Sequence, residues 1–78
     1  MKSQKKSPPY LKKIGIAVKV QRETRGISQE KLAELADCHR NYVSLVERGE
    51  QNLTVGNLVR IARALNCKTS ILLAKAGV

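Results

Sequence analysis

Seventy-eight residues suffice for one small domain and leave no room for a second core. With 42% hydrophobic residues, 3% aromatic and neither Phe nor Trp, the core must be built from Leu, Ile, Val and Ala, which favours a helical domain over an all-β one. The formal net charge of +9 points to a polyanionic partner, either nucleic acid or an acidic membrane surface, and two cysteines are too few for the disulfide framework of a secreted domain.

The chain opens with "MKSQKKSPP", polar, basic and closed by a proline pair. We read residues 1–10 as a disordered or extended tail and residues 11–78 as the folded domain. Lys2, Lys5, Lys6, Lys12 and Lys13 precede the first acid, whereas the rest of the chain sets ten bases against six acids. Such a tail is either a solubilising arm or a polyanion-binding one.

Leu11, Ile14, Ala17, Val18 and Gln21 then fall at helical spacing, and the run stops at "TRG", with Gly26 as terminator and Arg22 and Arg25 in the last turn, where the helix dipole favours cations. The apolar stretch Ile14–Val20 is broken by Lys19, has no following cleavage site and is too short to span a bilayer. The expectation is a reduced, cytoplasmic protein without a membrane segment.

"ISQEKLAELA" predicts a second helix of about two turns, capped by Ser28, stapled by Ile27 against Leu32, and continued on its apolar face by Ala33, Leu35 and Ala36. "HRNYVSLVERGE" predicts a third, with Val43 and Val46 inward and Gly49 as its stop. "QNLTVGNLVRIARALN" predicts a fourth, with Thr54 as cap, Asn66 as terminator, and a stripe of Val55, Leu58, Ile61, Ala62 and Leu65. A short fifth helix, about Thr69 to Ala74, carries Ile71, Leu72 and Leu73. The fold class read from this pattern is all-α, with five helices.

The second and third helices are joined by only about three residues, "DCH". So tight a turn forces the third helix steeply across the second, and its outer face protrudes. Arg40, Asn41 and Ser44 lie on that face, with Leu45 nearby. A guanidinium, a carboxamide and a hydroxyl suit the reading of base edges: Arg pairs with guanine, Asn with adenine, and a small apolar group touches thymine methyl.

The run from "RGISQEKLAELA" through "YVSLVERGE" to "LVRIARALN", with the weaker "IGIAVKVQRE" before it, resembles the lambda-repressor/Cro-type helix-turn-helix domain, the XRE family. The resemblance covers roughly residues 14–73, nearly the whole chain. Within that family, single-domain restriction–modification controllers are similar in size and in "HRNYVSLVERG", and phage-type repressors share the same traits.

The resemblance implies a double-stranded DNA partner and a role for each matching position. Arg40 and Asn41 would lead the base reading, with Ser44 and Leu45 one turn on. Ser28, Gln29, His39, Tyr42, Arg48 and Asn52 would lie near phosphates. Gln29 has the alternative of bracing the third helix, Tyr42 that of covering the turn, and Leu45 that of packing on a partner. Arg22 and Glu47 fall where members hold an arginine–glutamate pair between the first and third helices. Three positions depart from the pattern: Asp37 where glycine is usual, His39 where Ser or Thr is usual, and Gln21 where leucine is common.

"DCHRNY" assembles an acid, a thiol and an imidazole, the residue types of metal sites and nucleophilic catalysis. Yet the chain has one His, two widely separated Cys and no metal-ligand spacing. Cys38 stands at the apolar turn position that family members fill with Val or Leu, and buried Cys packs as a small hydrophobe. We therefore expect no enzyme, no metal and no cofactor. The function expected is a sequence-specific transcriptional regulator, homodimeric through Ile71, Leu72 and Leu73 and bound to a two-fold symmetric operator. The competing readings are an antitoxin with a protein partner, and a non-specific polyanion or membrane-surface binder acting through the lysines.

Overall fold

A proline, which has no N–H to leave unsatisfied, opens the first helix. The computed structural model describes residues 7–78, and in it α1 (Pro9–Thr24) starts with Pro9 in its first turn behind an extended Pro8. The helix thus takes in Pro9 and Tyr10, which the sequence reading had placed in the tail. The expected disorder of residues 1–6 lies outside the described residues.

Four shorter helices follow: α2 (Gln29–Ala36), α3 (Arg40–Glu47), α4 (Val55–Ala64) and α5 (Thr69–Ala76). No strand occurs among the described residues. Ser28 caps α2 by accepting from the Lys31 amide at 3.0 Å, and Thr54 caps α4 by accepting from the Asn57 amide at 3.1 Å. Asn66, at φ 58°, takes the left-handed turn that ends α4. α5 runs two residues beyond its predicted end, to a left-handed Gly77.

These helices close around one aliphatic core. Val18, Leu32, Val43, Val46, Ile61, Leu65 and Leu72 are fully buried, and Ile27, Cys38, Tyr42 and Leu53 pack against them. α1 rests on α3 and α5, α2 on α3 and α4, and α4 on α5.

Three apolar positions lie elsewhere than the pattern predicted. Leu35 is 48% exposed, because Leu32, Ala33 and Ala36 already fill the inward arc of a two-turn helix. Val55 is 76% exposed: spacing puts it on the side of Leu58 and Ala62, but it stands in the first turn, past the edge of the core. Leu72, expected at a dimer interface, is instead fully buried within the protomer; Leu73 is half-buried against the same core, and Ile71 alone of the three is exposed.

α1 and α3 approach almost backbone to backbone. A Cβ on Gly15 would overlap the Val46 carbonyl oxygen and sit 2.8 Å from that of Glu47. Gly49, at φ 73°, lies so near α1 that a Cβ there would be 2.6 Å from Lys12 Cα. No flexible side chain is available to yield at either place, so the helices themselves must separate. Gly15→Ala should therefore destabilise the fold by about 1–3 kcal/mol despite alanine's higher helix propensity, read as a lower midpoint in urea unfolding. An unchanged or raised midpoint would show that the α1–α3 spacing is not fixed by this contact.

Candidate nucleic-acid interface

Asp37 is the residue that turns the chain. It ends α2 in the left-handed region, φ 58° and ψ 52°, where Asp is tolerated better than most non-glycine residues. Cys38 and His39 complete a three-residue turn, and α3 begins at Arg40. His39 occupies the N-cap position in extended conformation but offers no side-chain hydrogen bond to the helix.

α3 is divided lengthwise. Val43, Val46 and Glu47 are buried. Arg40, Asn41 and Arg48 are exposed, and Ser44 and Leu45 are half-buried between the two faces. Leu45 is thus only partly open to a partner. Positions 40, 41, 44, 45 and 48 form one helical face, so the structure brings the four candidate base-reading residues together on it, with Arg48 at its far end.

The candidate phosphate-facing residues are mostly open to solvent. Ser28, His39, Arg48 and Asn52 are exposed, and Arg48 pairs loosely with Glu50 at 3.4 Å. Tyr42 is half-buried against the core, and its hydroxyl oxygen accepts from Asn57 Nδ2 at 3.0 Å, which leaves the hydroxyl proton free to be donated. Covering the turn and donating outward are thus compatible for Tyr42.

The C-terminal end of α3 is held by a buried ionic knot. Arg22 Nε donates to Glu47 Oε2 at 2.6 Å and Arg22 Nη2 to Glu47 Oε1 at 3.1 Å, a bidentate pair in which the Glu47 side chain is only 2% exposed. Arg22 Nη1 donates to the Ile27 carbonyl at 2.9 Å, and Gln29 Nε2 donates to Glu47 Oε1 at 3.0 Å. Gln29 therefore braces α3 through this carboxylate. The hydrogen bond to Glu47 holds the Arg22 guanidinium above its ordinary pKa, against the opposing effect of burial.

Sequence reasoning passed over Arg60. From α4 its guanidinium reaches the end of α2: Nε and Nη2 donate to the Ala36 carbonyl at 3.3 and 3.1 Å, and Nη2 also donates to the Asp37 carbonyl at 2.6 Å. An arginine on the flank of an amphipathic helix reads as solvated surface, and nothing local in the sequence marks it. Arg25, Arg60 and Arg63 together line an open depression of about 490 Å³ where α1, α2 and α4 all end. Three helix C-termini present their negative dipole ends there, which favours the arginines.

The Asp37–Cys38–His39 trio has no reactive geometry. Cys38 is half-buried, and its desolvation pushes the thiol pKa up, away from the thiolate that nucleophilic or metal chemistry needs; the Arg60 charge opposes this and Asp37 adds to it. Both cysteines are free, and among the described residues no group of three His, Cys, Asp or Glu side chains is placed to hold a metal ion. Nor is any helix among them long and apolar enough to cross a membrane.

α2, the left-handed turn and the half-exposed α3 define a helix-turn-helix unit set in a five-helix domain. The chain belongs to the helix-turn-helix family, whose profile matches residues 18–72. It is 42% identical over 60 residues to the control protein C.SmaI of Serratia marcescens, covering 77% of this chain and 71% of that protein. It is 45% identical over 47 residues to the control protein C.BamHI of Bacillus amyloliquefaciens, of which it spans 58%. Its fold is similar to the crystal structure of the restriction-modification controller protein C.AhdI from Aeromonas hydrophila, with a TM-score of 0.81 at 37% identity over 83% of this chain and 98% of that one.

The ionic knot generates a thermodynamic expectation. Removing one member strands the other as a buried charge, which costs about 3–5 kcal/mol, whereas replacing both by apolar groups of similar size removes that penalty. Arg22→Met and Glu47→Leu should each destabilise the domain strongly, and the double variant should be more stable than either. A denaturation cycle in which the two effects simply add would show that the pair is not coupled.

Proposed function

We propose that the chain is a sequence-specific transcriptional regulator that binds a two-fold symmetric DNA operator as a homodimer, in the manner of the restriction-modification controllers that it resembles. The single observation that carries this reading is the division of α3. One face is locked into the core, and the other presents Arg40, Asn41, Ser44 and part of Leu45 on a helix set across α2 by a three-residue turn. Such a helix fits the major groove, where Arg and Asn make bidentate contacts with guanine and adenine. Ser28, His39, Tyr42, Arg48 and Asn52 rim that face and would meet phosphates, which position a protein without reading sequence. This activity needs no catalytic group and no cofactor.

Homodimerisation follows from information content. One recognition helix reads only a few base pairs, too few to single out a site in a genome, and a two-fold dimer doubles the footprint. Ile71 is the exposed apolar residue of α5 on which such an interface would centre.

Selection of bound duplexes from a random pool tests the whole reading, since it should return half-sites related by a two-fold axis. On the selected duplex, Arg40→Ala should lower affinity by roughly 1–3 kcal/mol and relax the preference at one base pair in each half-site. An equal loss on random duplexes would reduce Arg40 to a phosphate contact.

The net charge of +9 favours a second reading, a polyanion binder indifferent to sequence. Deleting residues 2–6 removes Lys2, Lys5 and Lys6 but spares Pro8, the N-cap of α1. If those lysines neutralise phosphates, the deletion should flatten the log–log salt dependence of binding by about 0.9 for each lost contact while base preferences persist. Loss of all binding to the selected duplex would favour the polyanion reading, and an unchanged slope would mean that the tail does not touch DNA.

A further inference from the structure

We propose that Arg60 is a positioning residue for DNA reading: it clamps the α2–α3 turn from α4 and so sets the pose of the recognition helix. The proposal rests on the DNA-binding reading of α3 and extends it to a residue on the far side of the turn.

The turn needs such a clamp. α2 is only 8 residues long and ends in a reversal, so its last carbonyls lack helical partners. The Cys38 amide returns to the Ala33 carbonyl at 2.9 Å and the Asp37 amide to that of Glu34 at 3.2 Å, which closes the donor side. The carbonyls of Ala36 and Asp37 point the other way, and Arg60 takes both with one guanidinium. The nearby Asp37 carboxylate, 3.9 Å from Arg60 and fully exposed, contributes little. The clamp is therefore a fork of N–H donors on backbone oxygens, a geometry that lysine's single ammonium cannot reproduce.

Its leverage on α3 comes from chain distance. Only Cys38 and His39 separate the clamped Asp37 from Arg40, the first residue of the exposed face. Since 8 helical residues span about 12 Å, a tilt of roughly 10° about the held C-terminal end carries the N-terminal end of α3 through about 2 Å. Bidentate base contacts tolerate about 0.5 Å. Val43, Val46 and the Glu47 knot hold the body and C-terminal end of α3. His39 gives no side-chain cap at the other end, so the turn itself must fix the N-terminal position, where Arg40 and Asn41 lie.

Arg60 also carries a charge beside the ends of three helices, and the test must separate charge from fork. Arg60→Lys keeps the charge and loses the fork, whereas Arg60→Met keeps most of the stem and loses both. Each is compared with the full-length wild type on the duplex selected from the random pool and on a scrambled duplex at the same salt. We expect the ratio of selected to scrambled affinity to fall about tenfold in Arg60→Met and by a smaller but clear factor in Arg60→Lys, with scrambled-duplex affinity nearly unchanged in the lysine variant. The amides of Cys38, Tyr42 and Val43 should exchange with solvent faster in both variants than core amides of α1 do. A lysine variant equal to wild type on both duplexes, or a loss of thermal stability with an unchanged affinity ratio, would overturn the proposal. If the wild type selects no preferred duplex, the DNA reading itself fails. The clamp is then judged by exchange alone, and unaltered protection around the turn refutes it.

Discussion

The Glu47 carboxylate is the constraint around which the domain is organised. It sits on the buried side of α3 with almost no solvent access, a placement that costs several kcal/mol unless the charge is fully met. Three donors from two other helices meet it: two from Arg22 of α1 and one from Gln29 of α2. Each is directional, so the carboxylate fixes where α1 and the start of α2 lie relative to α3 in a way that apolar contact alone does not. Arg22 extends the same constraint through the Ile27 carbonyl to the α1–α2 connection. A hydrophobic pair in its place would be at least as stabilising, so what the ionic knot adds is geometry. Gly15 and Gly49 comply with that geometry, because only bare backbone fits in the gap it leaves between α1 and α3.

From this follows the mechanical logic of the recognition element. α3 has two turns and little intrinsic stability, since helices this short are marginal without tertiary support. It is nevertheless held along its inner face by Val43 and Val46 and at its C-terminal end by Glu47. In the proposed reading its outer face carries Arg40, Asn41 and Ser44, which have no part in this packing and so are free to change with the sequence to be read. This separation of scaffold from reader lets one fold serve many operators.

Most of the fold was legible because its signals are local. Asn66 occupies a left-handed turn and Ser28 and Thr54 are caps, each legible from residue type and position, whereas the left-handed turn at Asp37 was marked by the family resemblance, which puts glycine there. The Arg22–Glu47 juxtaposition came from the family resemblance, for 25 residues separate the two and no periodicity links them. What stayed hidden depends on neighbours distant in sequence. In "ILLA" three successive apolar residues cover most of a helix's circumference, and only the packing of α5 on α1 and α4 shows that Leu72 points inward. Gly15 reads as a flaw in a helix until α3 is laid beside it. Arg60 reads as a solvated charge until the end of α2 arrives next to it. Burial of Leu35 or Val55 fails for the opposite reason: the pattern marks a face correctly but not how far the core extends along it.

The inward turn of Leu72 also reshapes the proposed dimer. A stable interface covers about 800 Å² on each partner, well beyond one isoleucine, so Ile71 must be the centre of a patch and not the patch itself. Another exposed apolar pair is Ile16 with Val20 on α1, one helical turn apart beside Lys13 and Lys75. A two-fold contact through that groove would face these lysines with their own copies, an arrangement that like-charge repulsion disfavours. Lys75 also lies one helical turn from Ile71 on α5, so charge weighs on both patches. Spacing constrains the interface further. Recognition helices about 34 Å apart place each at about 17 Å from the dyad, within the 25 and 21 Å widths of a protomer. The interface is therefore sought away from the face that α3 presents, on α5 or on the groove that α5 lines with α1.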